Sequence, residues 1–311
     1  MQTRQQTFQP SFPAKSVATS KKKVAFIINP IAGISNKVKL PELIEHRLDQ
    51  NKFDIEILET AYAGHAKSLA KSSVLKGYHA VVAIGGDGTV NEVASQLIGT
   101  DTILGIVPSG SGNGLARKLG ISRSPRKALD VISTYKTQQI DVGIFNNNYF
   151  FSNAGVGYEG LMAEKYDATT KGGFWQYVKF FVENYFLYKE NKYIIKTAKK
   201  TYTSKAFQIN FTNSGQYGYN LGPAPLTAEL DDGFFELCIV DAFPKLYVFW
   251  MTFLMIVQKA HLSRYVHIVK VQNAEIRCDS TMQMQIDGEA GGETNALEVK
   301  ILPKKLRVIV P

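Results

Sequence analysis

The chain has 311 residues, 45% hydrophobic and 20% charged, with a formal net charge of +9. That length allows two domains with their own cores, and the composition excludes a disordered or fibrous chain. The positive excess suits polyanionic partners, whether phosphates, an anionic membrane surface or nucleic acid, without choosing among them.

Residues 1–21 are polar, hold two prolines and lack the apolar centre of a signal sequence, so a disordered tail is expected there. From residue 22 to 139 the pattern alternates. Short apolar runs at 24–29 (VAFIIN), 53–58, 80–84 and 103–107 (ILGIV) read as strands. Segments at 40–50, 65–76 and 91–98 have helical spacing between them. Repeated βαβ units predict a doubly wound parallel sheet, with ligands held by loops at the carboxyl ends of the strands.

Residues 140–302 read differently. Strand-like stretches at 140–145, 149–154, 193–197, 207–212, 234–240, 275–278, 282–286 and 297–302 predict an antiparallel, β-sandwich-like second domain. Residues 303–311 read as a final strand that either stays in that domain or returns to the first. Two long helices are expected, at 174–188 and in the 246–262 region. The latter contains LYVFWMTFLMIV, twelve apolar residues, whereas a bilayer span needs about 20; a buried helix is expected. Cys238 and Cys278 are the only cysteines and have no metal-ligand spacing, which fits a reducing, cytoplasmic compartment.

Three turns at successive strand ends suit phosphate. The first is Asn29-Pro30-Ile31-Ala32-Gly33. The second is Gly85-Gly86-Asp87-Gly88-Thr89, whose glycines expose backbone N–H groups to a ligand. Thr89 and Glu92 have capping-box spacing. The third, Ser109-Gly110-Ser111-Gly112-Asn113, supplies hydroxyls, an amide and mobile backbone. None is a Walker loop or a dinucleotide fingerprint, but together they predict a nucleotide site. A carboxylate amid phosphates is repulsive unless a cation intervenes, so Asp87 points either to Mg²⁺–ATP or to a helix cap. Further on, MQMQIDGE places Asp287 and Glu289 at a strand end, where a carboxylate can take a hydroxyl proton; an ordinary Asp-Gly turn is the simpler alternative.

GGDGTVNE, PSGSGN, LDDGFFE and DGE, in that order and spacing, resemble the diacylglycerol kinase and sphingosine kinase catalytic family over residues 24–311. The resemblance implies ATP- and Mg²⁺-dependent phosphorylation of a lipid hydroxyl in a cleft between the two domains. It implies nucleotide contacts from Asn29 to Gly33, from Thr60, from Gly86, Asp87, Gly88, Thr89, Val90, Asn91 and Glu92, and from Ser111. It assigns Glu289 as proton acceptor and a structural Mg²⁺ to Asp232 with the backbone oxygens of Glu229 and Phe234. The third loop departs from many diacylglycerol kinases, having Asn113-Gly114 where they have Asn-Asp, and this leaves a sphingoid base open as acceptor.

The implied partners are a lipid substrate, an anionic membrane surface for peripheral attachment, and a second copy of the chain in a homodimer. Lysines interleaved with aromatics at 171–205 suit such a surface, and equally a core-facing aromatic stripe. Nucleic acid has only net charge in its favour. An NAD kinase also has a GGDG loop and is the rival enzyme. A non-catalytic lipid-binding protein is the other class.

Overall fold

The computed structural model describes residues 21–31, 39–165, 174–214 and 228–311. The expected tail, and Ala32 and Gly33 of the first loop, lie outside the described residues.

The N-terminal half follows the alternation: β1 (Lys22–Ile28), α1 (Leu40–Arg47), β2 (Phe53–Glu59), α2 (His65–Leu75), β3 (Ala80–Gly85), α3 (Asp87–Leu97) and β4 (Ile103–Pro108). The four strands are parallel in the order β4-β3-β1-β2. β3 and β4 are buried at every position because crossover helices cover both sheet faces, which is why they read as unbroken apolar runs. Two helices follow that the sequence reading leaves unassigned: α4 (Gly114–Lys118) and α5 (Pro125–Thr134). α5 buries Ala128, Leu129 and Ile132 and opens on a Ser124-Pro125 start signal.

The second half contains β5 (Thr137–Phe145), β6 (Asn148–Phe150), β7 (Asn153–Gly157), α6 (Tyr158–Lys165), α7 (Phe174–Leu187), β8 (Asn191–Thr197), β9 (Thr201–Thr212), β10 (Phe235–Asp241), α8 (Tyr247–Ile256), β11 (Val266–Val271), β12 (Asn273–Ile286) and β13 (Glu289–Ile309). Its strands pair antiparallel, as expected. The expected strands at 275–278 and 282–286 are one strand, β12, whose register shifts between Arg277 and Met282. The polar residues between them form an irregularity in the ladder rather than a turn.

β13 joins the halves. It pairs antiparallel with β12 and β5, then parallel with β4 at Val308↔Leu104. One hydrogen-bonded sheet therefore runs from β11 to β2. Separate apolar clusters lie on either side of this junction, one around Val24, Ile27, Val82 and Leu104 and one around Phe145, Phe211, Phe235 and Ile276.

A third cluster joins α6, α7 and α8 around Tyr158, Tyr185, Phe207 and Met251, and here one expectation fails. α8 is not a buried helix: Leu246 before it is 76% exposed, and Phe249, Trp250 and Phe253 are each about half exposed. A segment apolar on every side gives no moment to tell a core helix from one with an unpartnered face. No helix among the described residues is long and apolar enough to cross a membrane.

Candidate active site

The three loops leave the sheet at neighbouring points. Asn29 N–H bonds Ile84 O, Thr60 N–H bonds Ile28 O and Ser109 N–H bonds Gly85 O, all within 2.8–3.0 Å, so each loop is an extension of the ladder. Asn29 Nδ2 donates to Thr89 Oγ1 at 3.1 Å, joining the first loop to the second. Loops two and three touch through backbone: a Cβ on Gly110 would lie 2.6 Å from Gly86 Cα. Only glycine permits that approach.

The capping box does not form. α3 begins at Asp87, earlier than the spacing suggests, with Gly86 at the cap and no side-chain cap bond. Thr89 is turned inward onto Asn29, and Glu92 accepts the N–H groups of Gly64 and Lys67 at 3.0 and 3.3 Å, holding the start of α2.

Asp87 has partners that the sequence does not suggest. Its two oxygens accept the N–H groups of Asn113 and Gly114 at 2.6 and 2.7 Å, fastening the third loop beneath the second. Burial pushes its carboxyl pKa up, opposed by those two N–H groups and by Arg117. A side chain on Gly114 would collide with Ser152, a physical reason for the glycine after Asn113. Arg117 and Arg123 donate to the carbonyls of Ser111 and Gly110, both at 3.2 Å. These two cations at the nucleotide loops escape motif reading because they lie outside the glycine-rich run.

The DGE turn comes from the far half of the chain and meets α3. Asp287, buried, accepts Asn91 Nδ2 at 2.7 Å and the N–H groups of Phe151, Ser152 and Asn153 at 2.8–3.2 Å. Burial raises its pKa to about 6 against the pull of the Asn91 amide and these N–H groups. This clamp places Glu289 so that its carboxylate rests on Gly88, where a Cβ would overlap Oε1. Burial raises the Glu289 pKa, and the charges of Glu92 and Asp87 add to it. A cleft of about 320 Å³ opens beside it, lined by Lys67, Gly88, Asn91, Glu92, Tyr149 and Glu289.

A polar network runs from the turn into the second half. Gly288 N–H donates to Gln285 Oε1 at 2.9 Å, and Gln285 Nε2 donates to Asn153 Oδ1 at 2.6 Å and Glu159 Oε2 at 3.3 Å. Glu159, Gln208 and Thr252 line a small cavity of about 20 Å³ under Tyr177, Phe181 and Met255, room for about one water. The Gln208 amide and the Thr252 hydroxyl, both buried, have no hydrogen-bond partner among the described residues. Burial raises Glu159 to about 8, opposed by Asn210 and Gln285. No motif marks these residues.

The residues assigned to a structural metal lie on one turn but are already engaged. Asp232 Oδ1 accepts Phe234 N–H at 2.9 Å, and Oδ2 sits 2.6 Å from Lys270 Nζ. A divalent ion there would share a carboxylate oxygen with an ammonium group, and the set does not fit one. Among the described residues no group of three or more His, Cys, Asp or Glu side chains is placed to hold a metal. Cys238 and Cys278 are both free and buried.

The match to two family models decides the kinship. Residues 23–145 match the diacylglycerol kinase catalytic domain, and residues 152–310 match the YegS C-terminal NAD kinase beta sandwich-like domain. The chain belongs to the diacylglycerol kinase family. Curated relatives include a diacylglycerol kinase of Bacillus subtilis (strain 168), 28% identical and covering 93% of this chain and 97% of its own. Another is a diacylglycerol kinase of Staphylococcus aureus (strain MRSA252), 28% identical and covering 89% of each chain. A solved diacylglycerol kinase structure from Bacillus anthracis str. Sterne superposes with a TM-score of 0.71 over 94% of this chain and 98% of that one, at 19% identity. That likeness concerns the fold. As a member of a lipid kinase family, the chain carries every motif on which its kinship was read, with the two halves in the expected order.

Proposed function

We propose that this kinase transfers the γ-phosphoryl group of Mg²⁺–ATP to the hydroxyl of an uncharged glyceride lipid at a membrane surface. The observation that carries the reading is the Glu289 carboxylate lying on Gly88, held there by the Asp287–Asn91 clamp.

The loops built by Asn29, Thr60, Gly86 and Gly110 would hold the triphosphate on backbone N–H groups. The charges of Glu92 and Asp87 both act on Glu289 at that edge, negative charge that a hard cation arriving with the phosphates would offset. Mg²⁺ would spread the charge of the transferring group, with Asp87 contributing the lone pairs that its two amide partners leave free. Glu289 takes the proton as the lipid oxygen attacks phosphorus. Arg117 and Arg123 supply positive charge beside the third loop. The curated relatives named above are diacylglycerol kinases, which favours a glyceride over a sphingoid base as the acceptor.

Access to the bilayer would come through α7 and α8. Trp175, Leu187, Leu246 and Trp250 are exposed, and Phe186 meets Phe249 with ring centroids 6.1 Å apart, joining the two helices into one apolar face. Lys179, Lys189, Lys259 and Arg264 are exposed around it. Aromatic and basic groups together suit an anionic headgroup layer.

The test is a γ-labelled ATP assay against diacylglycerol, monoacylglycerol, a sphingoid base, phosphatidylglycerol and NAD. A Mg²⁺-dependent phosphorylated glyceride is expected. Product from NAD alone returns the rival enzyme, and no product at all favours a non-catalytic lipid binder. Vesicle sedimentation checks the surface: Trp250→Ser with Phe253→Ser should lower binding to phosphatidylglycerol vesicles about tenfold or more. Binding indifferent to that pair, to anionic lipid content and to salt removes the docking role.

Gly88→Ala separates chemistry from folding. The three atoms nearest the added methyl all belong to the end of the Glu289 side chain, which can swing away, and alanine suits a helix better than glycine. Turnover should fall about tenfold or more, while the melting temperature stays within about 2 °C. Unchanged turnover would mean that the Glu289–Gly88 contact is not used.

A further inference from the structure

We propose that Lys270 fills the place a divalent cation would otherwise take at the Leu230–Gly233 turn, so that this chain carries its own structural cation. The turn is a junction. Gly233 N–H donates to Asp141 Oδ2 at 2.7 Å, Lys304 N–H donates to Asp141 Oδ1 at 2.8 Å, and Asp141 N–H donates to Leu230 O at 2.6 Å. Asp141 is fully buried on β5, and Lys304 lies where β13 shifts register. The turn thus ties the second half to the strand that completes the first sheet.

Such a junction gathers negative charge: Asp231 and Asp232 in the turn, Asp141 beneath it, Glu229 before it and Glu236 after it. A cation is needed there on Coulombic grounds. Lys270 supplies one. It stands directly across from Glu236 in the β10–β11 ladder, and its ammonium reaches Asp232 Oδ2 at 2.6 Å. The charges of Glu236 and Glu229 also act on it. The other Asp232 oxygen is held by Phe234 N–H, so the carboxylate is fixed in the orientation that receives the ammonium. Gln272, on the same edge of the sheet, donates to Gly233 O at 3.3 Å. One monovalent group on a strand therefore satisfies a turn whose sequence, LDDG, reads as a metal turn.

The consequence is a chain whose fold does not depend on free Mg²⁺. Melting is measured without nucleotide, in EDTA and in millimolar MgCl₂, for the wild type, K270M, K270Q and K270R. The wild type and K270R should melt within about 1 °C in the two buffers. K270M or K270Q should melt about 2–4 °C lower in EDTA and recover in MgCl₂, because removing the ammonium opens Asp232 to the ion. A wild type that loses stability on chelation and regains it with Mg²⁺ overturns the proposal. Neutral variants that fold but gain nothing from Mg²⁺ overturn it too, since the turn would then not be a cation site. These arms read stability without ATP or lipid, so they stand or fall apart from the proposed reaction.

Discussion

Glu289→Gln should lower kcat by about 10²–10⁴-fold, the range for loss of a positioned general base, with KM for ATP nearly unchanged. Glutamine keeps the size and polarity of the side chain that rests on Gly88, so the nucleotide loops stay as they are and only the proton acceptor is lost. The pH profile makes the assignment sharper. Burial, then Glu92 and Asp87, hold the Glu289 pKa above the ordinary carboxylate value. A base must be ionised to act, so wild-type turnover should rise as pH climbs through that raised value. The glutamine variant should lose this limb. Steady-state kinetics between pH 5 and 8 at saturating ATP measures both effects, and wild-type turnover in the variant would take Glu289 out of the reaction.

Asp287→Ala should be the most damaging single change to stability. Four donors converge on this carboxylate, the Asn91 amide and three consecutive backbone N–H groups, and alanine leaves all of them buried without an acceptor. Removing one side of such a set costs about 3–5 kcal/mol. Part is returned, because the charged form is itself disfavoured: burial holds its pKa at about 6, above the ordinary carboxylate value of 3.8. The sign follows from proton uptake. Between those two values the native state binds the proton more tightly than the unfolded chain, so this group's contribution falls as pH rises from about 4 to 6. Urea unfolding at pH 4.5 and 7.5 tests both points: the alanine variant should be far less stable at either pH and lack this group's slope. Asp287→Asn should fall between, since its Nδ2 would face the Asn91 amide, donor against donor. A loss below about 1 kcal/mol for the alanine variant would show that the donors find other partners.

The parallel half was legible because its strands are buried on both faces and therefore read as short apolar runs between turn residues. Val24 to Ile28 and Ile103 to Val107 both lie in the strands expected there. The glycine-rich loops were equally plain, since close backbone approach leaves glycine as its trace. What stayed hidden depends on partners distant in sequence. Nothing local shows that Asp87 would take the Asn113 and Gly114 amides, or that Asp287 would reach Asn91 across the fold. Thr89 and Glu92 had the right spacing for a cap, but Asn29 and the start of α2 took them instead. The exposed face of α8 could not be read because all of its sides are apolar.

The position of β13 carries a consequence for biosynthesis. β4 acquires its parallel neighbour at Val308 only after the whole intervening polypeptide has been translated. Until then its open backbone edge is a template for intermolecular pairing. A nascent N-terminal half emerging from the ribosome therefore waits, unsealed, for the strand that closes it. Protease protection of β4 should appear late, once residues around 308 have left the ribosome and paired with it.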